Sequence, residues 1–120
     1  YSRNPEDGDL NFMLAMSHVY LNDAERALQF FEAAHKSKPE DLEVTFQYGL
    51  LCCQIGLYEP ADKLLGKVVG NGDNADAEYN MGLLKLMKDD DREQALEHFH
   101  RAVDIQADHH LAHNAISKLK

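Results

Sequence analysis

The sequence is poor in several features that would point to particular classes of protein. It has no tryptophan and only two cysteines among 120 residues, and 21 acidic residues outnumber 12 basic ones, giving a formal charge of −9. This charge has the wrong sign for a surface that binds a phosphate backbone or an anionic membrane, so we expect no nucleic-acid partner. No apolar run approaches the ~18 residues of a membrane helix, so we expect no membrane span.

The two cysteines, Cys52 and Cys53, are adjacent in a helical pattern. Neighbouring side chains on a helix point about 100° apart, so the two thiols cannot easily form a disulfide. Free thiols are typical of a reducing compartment, and we therefore predict a cytoplasmic location. The local sequence supplies no base for either thiol, so we interpret both as small buried hydrophobic residues and not as nucleophiles.

The chain does contain a helical pattern that recurs along its length. Ala27, Phe31 and Ala34 lie at helical spacing and form one stripe, and we expect Asp23 to cap this helix and Pro39 to end it. Six residues of the segment recur 68 positions later, which is twice 34, and a period of 34 residues is typical of helical repeats. These six are Asp23, Glu25, Ala27, Leu28, Phe31 and Ala34, and a weaker middle copy is Ala61, Leu65 and Val68.

The period divides the chain into repeats. Residues 1–7 are interpreted as the tail of a preceding repeat, because Asn4-Pro5-Glu6-Asp7 lies 34 positions before Lys38-Pro39-Glu40-Asp41 and matches it at three of four positions. We therefore expect further repeats upstream. Residues 8–41, 42–74 and 75–107 are predicted to be repeats 1 to 3, each a pair of helices. Residues 108–120 are predicted to be a single helix that caps the end of the array.

This pattern resembles the tetratricopeptide-repeat (TPR) superfamily across essentially the whole chain. The tail around residues 104–114 is similar to the closing repeat of stand-alone bacterial TPR proteins. The resemblance implies an all-α, right-handed superhelix of antiparallel helix pairs with a C-terminal capping helix, acting as a protein–protein interaction scaffold without enzymatic activity or cofactor. The residues that carry it are Leu14, Ala15, His18, Ala27, Phe31, Ala34 and Pro39 in repeat 1, Tyr48, Gly49, Ala61, Leu65 and Val68 in repeat 2, and Met81, Gly82, Ala95, Phe99 and Ala102 in repeat 3.

Each first helix carries a second apolar stripe, spaced i, i+4, i+7, beside the stripe that faces its partner helix. One interpretation is packing between repeats; the other is a groove lined by methionine and aromatic residues that binds a partner segment. In TPR proteins the first helices line a concave groove, and Met13, Tyr20 and Met87 flank this face, so we favour the groove. The predicted groove residues are Phe12, Met16, Val19, Phe46, Leu50, Cys53, Tyr79, Leu83 and Leu86, with Asp9, Glu43 and Asp76 on the rim.

The rim acids favour a protein or peptide ligand that has an apolar face, helical or extended, and basic flanks. Chaperone-binding TPR proteins hold a C-terminal carboxylate with Lys, Arg and Asn, and the resemblance implies that this carboxylate clamp is absent here. The alternatives are a self-assembly module of a larger TPR protein, with contacts between copies of the shortened chain, and the regulatory domain of an enzyme. The positions that match the clamp are Phe12, Met16, Gln47, Asp76 and Asn80.

Seven histidines raise the question of a metal site. His109 and His113 lie at i, i+4 and converge, but two imidazoles fall short of the four ligands of a structural zinc site. We therefore predict no metal and interpret the histidines as solvated. The acidic run Asp89-Asp90-Asp91 lacks the glycine and the distal glutamate of a calcium loop, so we interpret it as a turn with an N-cap.

Overall fold

The computed structural model describes residues 8–119. The prediction that residues 1–7 are the tail of a preceding repeat lies outside this range. Within it the chain forms seven α-helices and no strand, which confirms the predicted all-α fold, and no helix has the length and apolarity to cross a membrane. The helices are α1 (Gly8–Tyr20), α2 (Ala24–Ser37), α3 (Leu42–Gln54), α4 (Tyr58–Gly70), α5 (Ala75–Asp89), α6 (Arg92–Ile105) and α7 (His110–Leu119).

Short polar side chains determine where most of these helices begin. The side chains of Asp23, Asp41, Asn74 and Asp91 each accept a hydrogen bond from a backbone N–H in the first turn of the following helix. Such an N-cap contributes about 1 kcal/mol. Helix α4 begins without such a cap, because it follows Leu57, whose side chain accepts no hydrogen bond.

The acidic run between α5 and α6 is accounted for by the two helix ends. Asp89 is the last residue of α5 and lies within ion-pair distance of Lys85 and Lys88. Asp90 adopts a left-handed conformation with φ 51°, which ends α5, and Asp91 caps α6. The three carboxylates therefore serve different local purposes, in agreement with the interpretation as a turn with an N-cap.

The buried core repeats with the sequence period. Phe31, Leu65 and Phe99 lie 34 residues apart, one in each second helix, and all three are fully buried. The alanine four residues before each of them is also fully buried, so the helices can approach closely. Packing is most extensive within α1/α2, α3/α4 and α5/α6 and continues from each pair to the next, which produces an elongated array of 56 × 25 × 21 Å.

Two glycines permit close contact within the second and third pairs. A Cβ atom on Gly82 would lie 2.4 Å from Cε1 of Phe99, and one on Gly49 would lie 3.0 Å from the side chain of Leu65. A glycine inside a helix costs about 1 kcal/mol relative to alanine. Glycine is nevertheless required at these two positions, because a large side chain of the partner helix fills the space that a methyl group would need.

Candidate functional site

The predicted groove residues lie on the first helix of each pair, and all nine are half-buried. The stripe of α1 shares a cluster with Leu51 of α3, that of α3 with Met81 of α5, and that of α5 with Ile116 of α7. Each stripe therefore contacts the next helix pair on one side and faces solvent on the other. The two interpretations that the sequence leaves open, packing between repeats and a ligand surface, are compatible with each other.

A row of aromatic rings supports the first part of the groove. The ring of Phe12 lies 6.1 Å from that of Phe31, and Phe31 stacks on Tyr48 of α3 at 5.9 Å and 9°. Aromatic pairs of this kind contribute about 0.5–1.5 kcal/mol beyond their buried area. Burial raises the pKa of Tyr48 to about 12, so its hydroxyl stays protonated at neutral pH. The row joins α1 to α3 and fixes the position of Phe12.

Exposed apolar residues border the half-buried stripes. Met13 and Tyr20 are 65% and 83% exposed and lie beside the stripe of α1. Met87 occupies the place in α5 that Tyr20 occupies in α1; it is 50% exposed, and its sulfur accepts a hydrogen bond from the hydroxyl of Tyr58 at 3.9 Å. Methionine and aromatic side chains adapt readily to different partners. The groove therefore offers apolar area that no part of the described chain covers.

The three predicted rim acids are exposed, and each already has a hydrogen-bond partner inside the domain. A basic flank of a ligand would compete with these partners and would not meet bare carboxylates. Exposed ion pairs contribute only about 0–1 kcal/mol, so such an exchange costs little at Asp9. The partners are Lys38 for Asp9 at 2.6 Å, Gln47 for Glu43 at 3.0 Å and His109 for Asp76 at 2.9 Å.

His109 is the residue at which the structure departs most from the sequence prediction. The sequence predicts a solvated side chain, but His109 is only 5% exposed, because it lies between α5 and the start of α7. Its Nδ1 accepts a hydrogen bond from the N–H of Ala112 at 3.1 Å, so Nε2 carries the proton and donates it to Asp76 at 2.9 Å. Its ring lies 5.3 Å from that of Tyr79. His109 thus caps α7 and fixes it against the groove helix α5.

The interpretation of the histidines as solvated is also wrong for His98 and His35, whereas His18 packs on the partner helix, as its place in the repeat pattern predicts. His98 lies 2.8 Å from Glu78, and both side chains are almost buried. His18 stacks on Phe30, and His35 packs edge-on against Tyr48. The contacts of His98 and His35 join residues of different helices, which a local sequence pattern does not reveal.

The pair His109 and His113 does not converge as the i, i+4 spacing predicted. Nε2 of His113 lies 2.7 Å from the carbonyl oxygen of Ala107, whereas His109 is directed to Asp76. Among residues 8–119 no group of three or more His, Cys, Asp or Glu side chains is arranged to hold a metal ion. The prediction of no metal site stays a prediction for the whole chain.

Both cysteines are free thiols, with Cys52 buried and Cys53 half-buried. Burial raises the pKa of each thiol to about 11, and the charge of nearby Asp62 adds to the effect on Cys53. The thiolate is the reactive form of cysteine, so both side chains are unreactive at neutral pH. Cys52 is therefore the small buried residue that the sequence predicts, whereas Cys53 is only half-buried.

A cleft that the sequence analysis did not anticipate lies between α5 and α7. Its volume is about 220 Å³, and it joins the α5 stripe to one face of α7. The sequence prediction gives residues 108–120 only a capping role, although the α7 residues at the cleft follow the spacing i, i+3, i+4, i+7, i+8. A smaller crevice of about 50 Å³ lies between α1 and α3 and includes Leu50. The α7 residues that line the larger cleft are Leu111, Asn114, Ala115, Lys118 and Leu119.

Acid should destabilise the domain in part through His35. Its Nε2 atom is buried without a hydrogen bond inside the described chain, and burial, with the nearby charge of Lys67, lowers the pKa of His35 below 6.5. As the pH falls through about 6.5, the unfolded chain takes up a proton that the folded chain resists, so the free energy of unfolding decreases. We expect His35→Gln to lessen this decrease, as measured by urea unfolding at about pH 7.5 and pH 5.5.

A matched substitution of an exposed histidine in α6, His100→Gln, serves as the control for this experiment. If His100→Gln lessened the decrease as much as His35→Gln does, the burial of His35 would not be its cause.

Comparison with known proteins places the fold. The chain resembles the solved structure of YrrB, described as a TPR protein with an unusual peptide-binding site, with 35% identity and a TM-score of 0.86 over 92% of this chain and 57% of that one. It resembles MamA with 17% identity and a TM-score of 0.89 over 97% of this chain and 68% of that one. It also resembles the first TPR of Spaghetti (RPAP3), solved with the HSP90 peptide SRMEEVD, with 11% identity and a TM-score of 0.85 over 97% and 92% of the two chains. No protein-family model and no curated protein matches the chain.

The class of protein is defined by three features. These are the antiparallel helix pairs, the buried alanine and large residue of each period, and the similarity to these solved structures. The chain has the tetratricopeptide-repeat fold, as the resemblance in its sequence implied. It spans 57% of the length of YrrB.

Proposed function

We propose that this domain is a protein-interaction module whose groove, lined by α1, α3 and α5, binds an apolar-faced helix or an extended segment of a partner protein. One observation carries the proposal. Five large hydrophobic residues of the described chain are at least half exposed, and four of them border this one face. Several exposed apolar residues on one face are typical of an interaction site. The four are Met13, Tyr20, Met87 and Leu111.

The charge of the chain favours a ligand with basic flanks. The formal charge is −9, and the exposed rim carries Asp9, Glu43 and Asp76. Charge complementarity speeds the encounter of two partners and fixes the register of the bound segment. The positions that match a carboxylate clamp supply no cation, so we propose that the ligand is not held by a free C-terminal carboxylate. Binding of peptides by the solved TPR structures supports a peptide-like ligand in general.

The proposal is tested by capturing partners from a cell lysate with two forms of the domain, one with the groove intact and one with Leu50→Asp. Proteins that bind the first form and not the second would be the groove ligands, and the same proteins should compete with one another. Equal capture by both forms would place recognition on the second helices or in the loops.

The cytoplasmic location and the lack of enzymatic activity stay predictions from the sequence.

A further inference from the structure

The cleft between α5 and α7 differs chemically from the rest of the groove. Five of its eight lining residues are large and apolar, one is alanine, and the two polar ones are Asn114 and Lys118. No carboxylate is among its lining residues within 8–119, although the chain as a whole carries a formal charge of −9. Asp9, Glu43 and Asp76, by contrast, lie at the N-terminal ends of the first helices. The charged lining residue that the cleft does have is a cation, Lys118.

The size of the cleft suits a single side chain. Its volume of about 220 Å³ is many times the space that one water molecule needs, so the cleft can admit a side chain. A whole helix, with a diameter of about 10–12 Å including side chains, is too large to enter it. The walls are the half-buried Tyr79, Leu83 and Leu86 of α5, which would shield an inserted apolar group from water.

Helix α7 is otherwise polar on its outer surface, which makes Leu111 unusual. Leu111 is 57% exposed and lines the cleft, and Asn114 and Lys118 lie three and seven residues further on, on the same face. Arg92 of α6 donates a hydrogen bond to the carbonyl oxygen of Leu119 at 3.3 Å, so a second cation lies at the C-terminal end of α7. Hydrophobic and cationic groups therefore lie side by side along this face.

We propose that the cleft between α5 and α7 is a pocket for one large apolar side chain of the partner segment, and that Lys118 pairs with an acidic side chain next to it. The inference rests on the proposed groove function, since the cleft continues the α5 stripe. The inference also orients the ligand. The ligand's basic residues would lie at the rim formed by the N-terminal ends of the first helices, and its acidic residue would lie beside the apolar anchor at α7. The position of His109 supports the proposal, because its bonds to Asp76 and Ala112 hold the two walls together.

The test is a selection from a library of random peptides displayed on phage, carried out against the wild-type domain, Leu111→Ser, Lys118→Glu and Leu50→Asp. We expect wild-type binders to share a large apolar residue with a neighbouring acidic residue. For such a peptide, made synthetically, Leu111→Ser should weaken binding about tenfold and Lys118→Glu about fivefold. Lys63→Glu changes an exposed lysine of α4 away from the cleft and should leave the affinity unchanged.

The outcomes separate this inference from the groove proposal. A selection on Lys118→Glu should replace the acidic residue by a basic one; the same consensus on both forms would overturn the pairing with Lys118. Peptides whose binding is weakened by Leu50→Asp but not by Leu111→Ser or Lys118→Glu would overturn the pocket proposal and would still support the groove proposal. Peptides whose binding is weakened only by Leu111→Ser and Lys118→Glu would support the pocket and would show that the α3 part of the groove does not bind the ligand. A wild-type selection without any enriched peptide would overturn both.

Discussion

Leu50→Asp should weaken binding of a groove ligand by about 2 kcal/mol or more while the helical content stays the same. Leu50 lies on α3 in the middle of the three stripes and lines the crevice between α1 and α3. A carboxylate there must either stay hydrated and hold the ligand away or be buried against apolar atoms without a partner. Binding would be measured by fluorescence anisotropy with a labelled partner segment, and helical content by circular dichroism.

The control for this experiment makes the same substitution at another half-exposed leucine. Leu57 precedes α4, the helix that begins without a side-chain cap, and aspartate is a strongly preferred N-cap. Leu57→Asp should therefore leave binding unchanged and raise the free energy of unfolding by about 1 kcal/mol. Comparison of Leu50→Asp with Leu57→Asp shows whether a loss of ligand binding depends on the position of the new carboxylate or only on the added negative charge.

Leu50 also packs against the core, so a second groove variant is needed. Met13 is 65% exposed, so Met13→Lys can remove an apolar contact with the ligand without disturbing the fold. If Leu50→Asp unfolds the domain and Met13→Lys binds normally, the stripes are packing surfaces only. If both variants fold and bind normally, the groove is not the site.

Gly82→Ala should lower the free energy of unfolding by about 1–2 kcal/mol. The added methyl group would meet the fully buried ring of Phe99 at 2.4 Å, and such overpacking costs about 1–3 kcal/mol, of which the better helix propensity of alanine returns up to about 1. The same change at Gly66 in α4 meets no atom within 4 Å. Gly66→Ala should therefore stabilise the domain by about 0.5–1 kcal/mol.

Urea unfolding of the two glycine variants would measure these opposite signs. Stabilisation by both substitutions would mean that Phe99 shifts at little cost and that close approach of α5 and α6 does not depend on the glycine. Destabilisation by both would mean that the helix-propensity argument does not apply to α4.

The helices and their core could be predicted because they depend on local, repeated signals. Ala27, Phe31 and Ala34 lie on one face by spacing alone, and all three are fully buried. N-caps such as Asp41 likewise act within one turn of the chain. Period, cap and turn residues all favour the same helix bounds, and this agreement between levels is what makes a fold predictable.

The candidate site was harder to predict because it depends on contacts between distant residues. His109 is hydrogen-bonded to Asp76, 33 positions earlier, and His98 to Glu78, 20 positions earlier. Spacing on one helix could not show that α7 would turn Leu111 toward the α5 stripe. The stripes themselves were ambiguous because one side chain, such as Leu50, both packs on the next helix and borders solvent.

The packing order of the helices bears on how quickly the chain reaches its native state. Apart from the contact of α3 with α5, the helices that pack extensively are neighbours along the chain. Structures built from such local contacts need little loop closure before packing begins, and helical proteins of this type fold in microseconds to milliseconds. We expect this domain to fold within that range, with each helix pair able to serve as the nucleus on which the next one assembles.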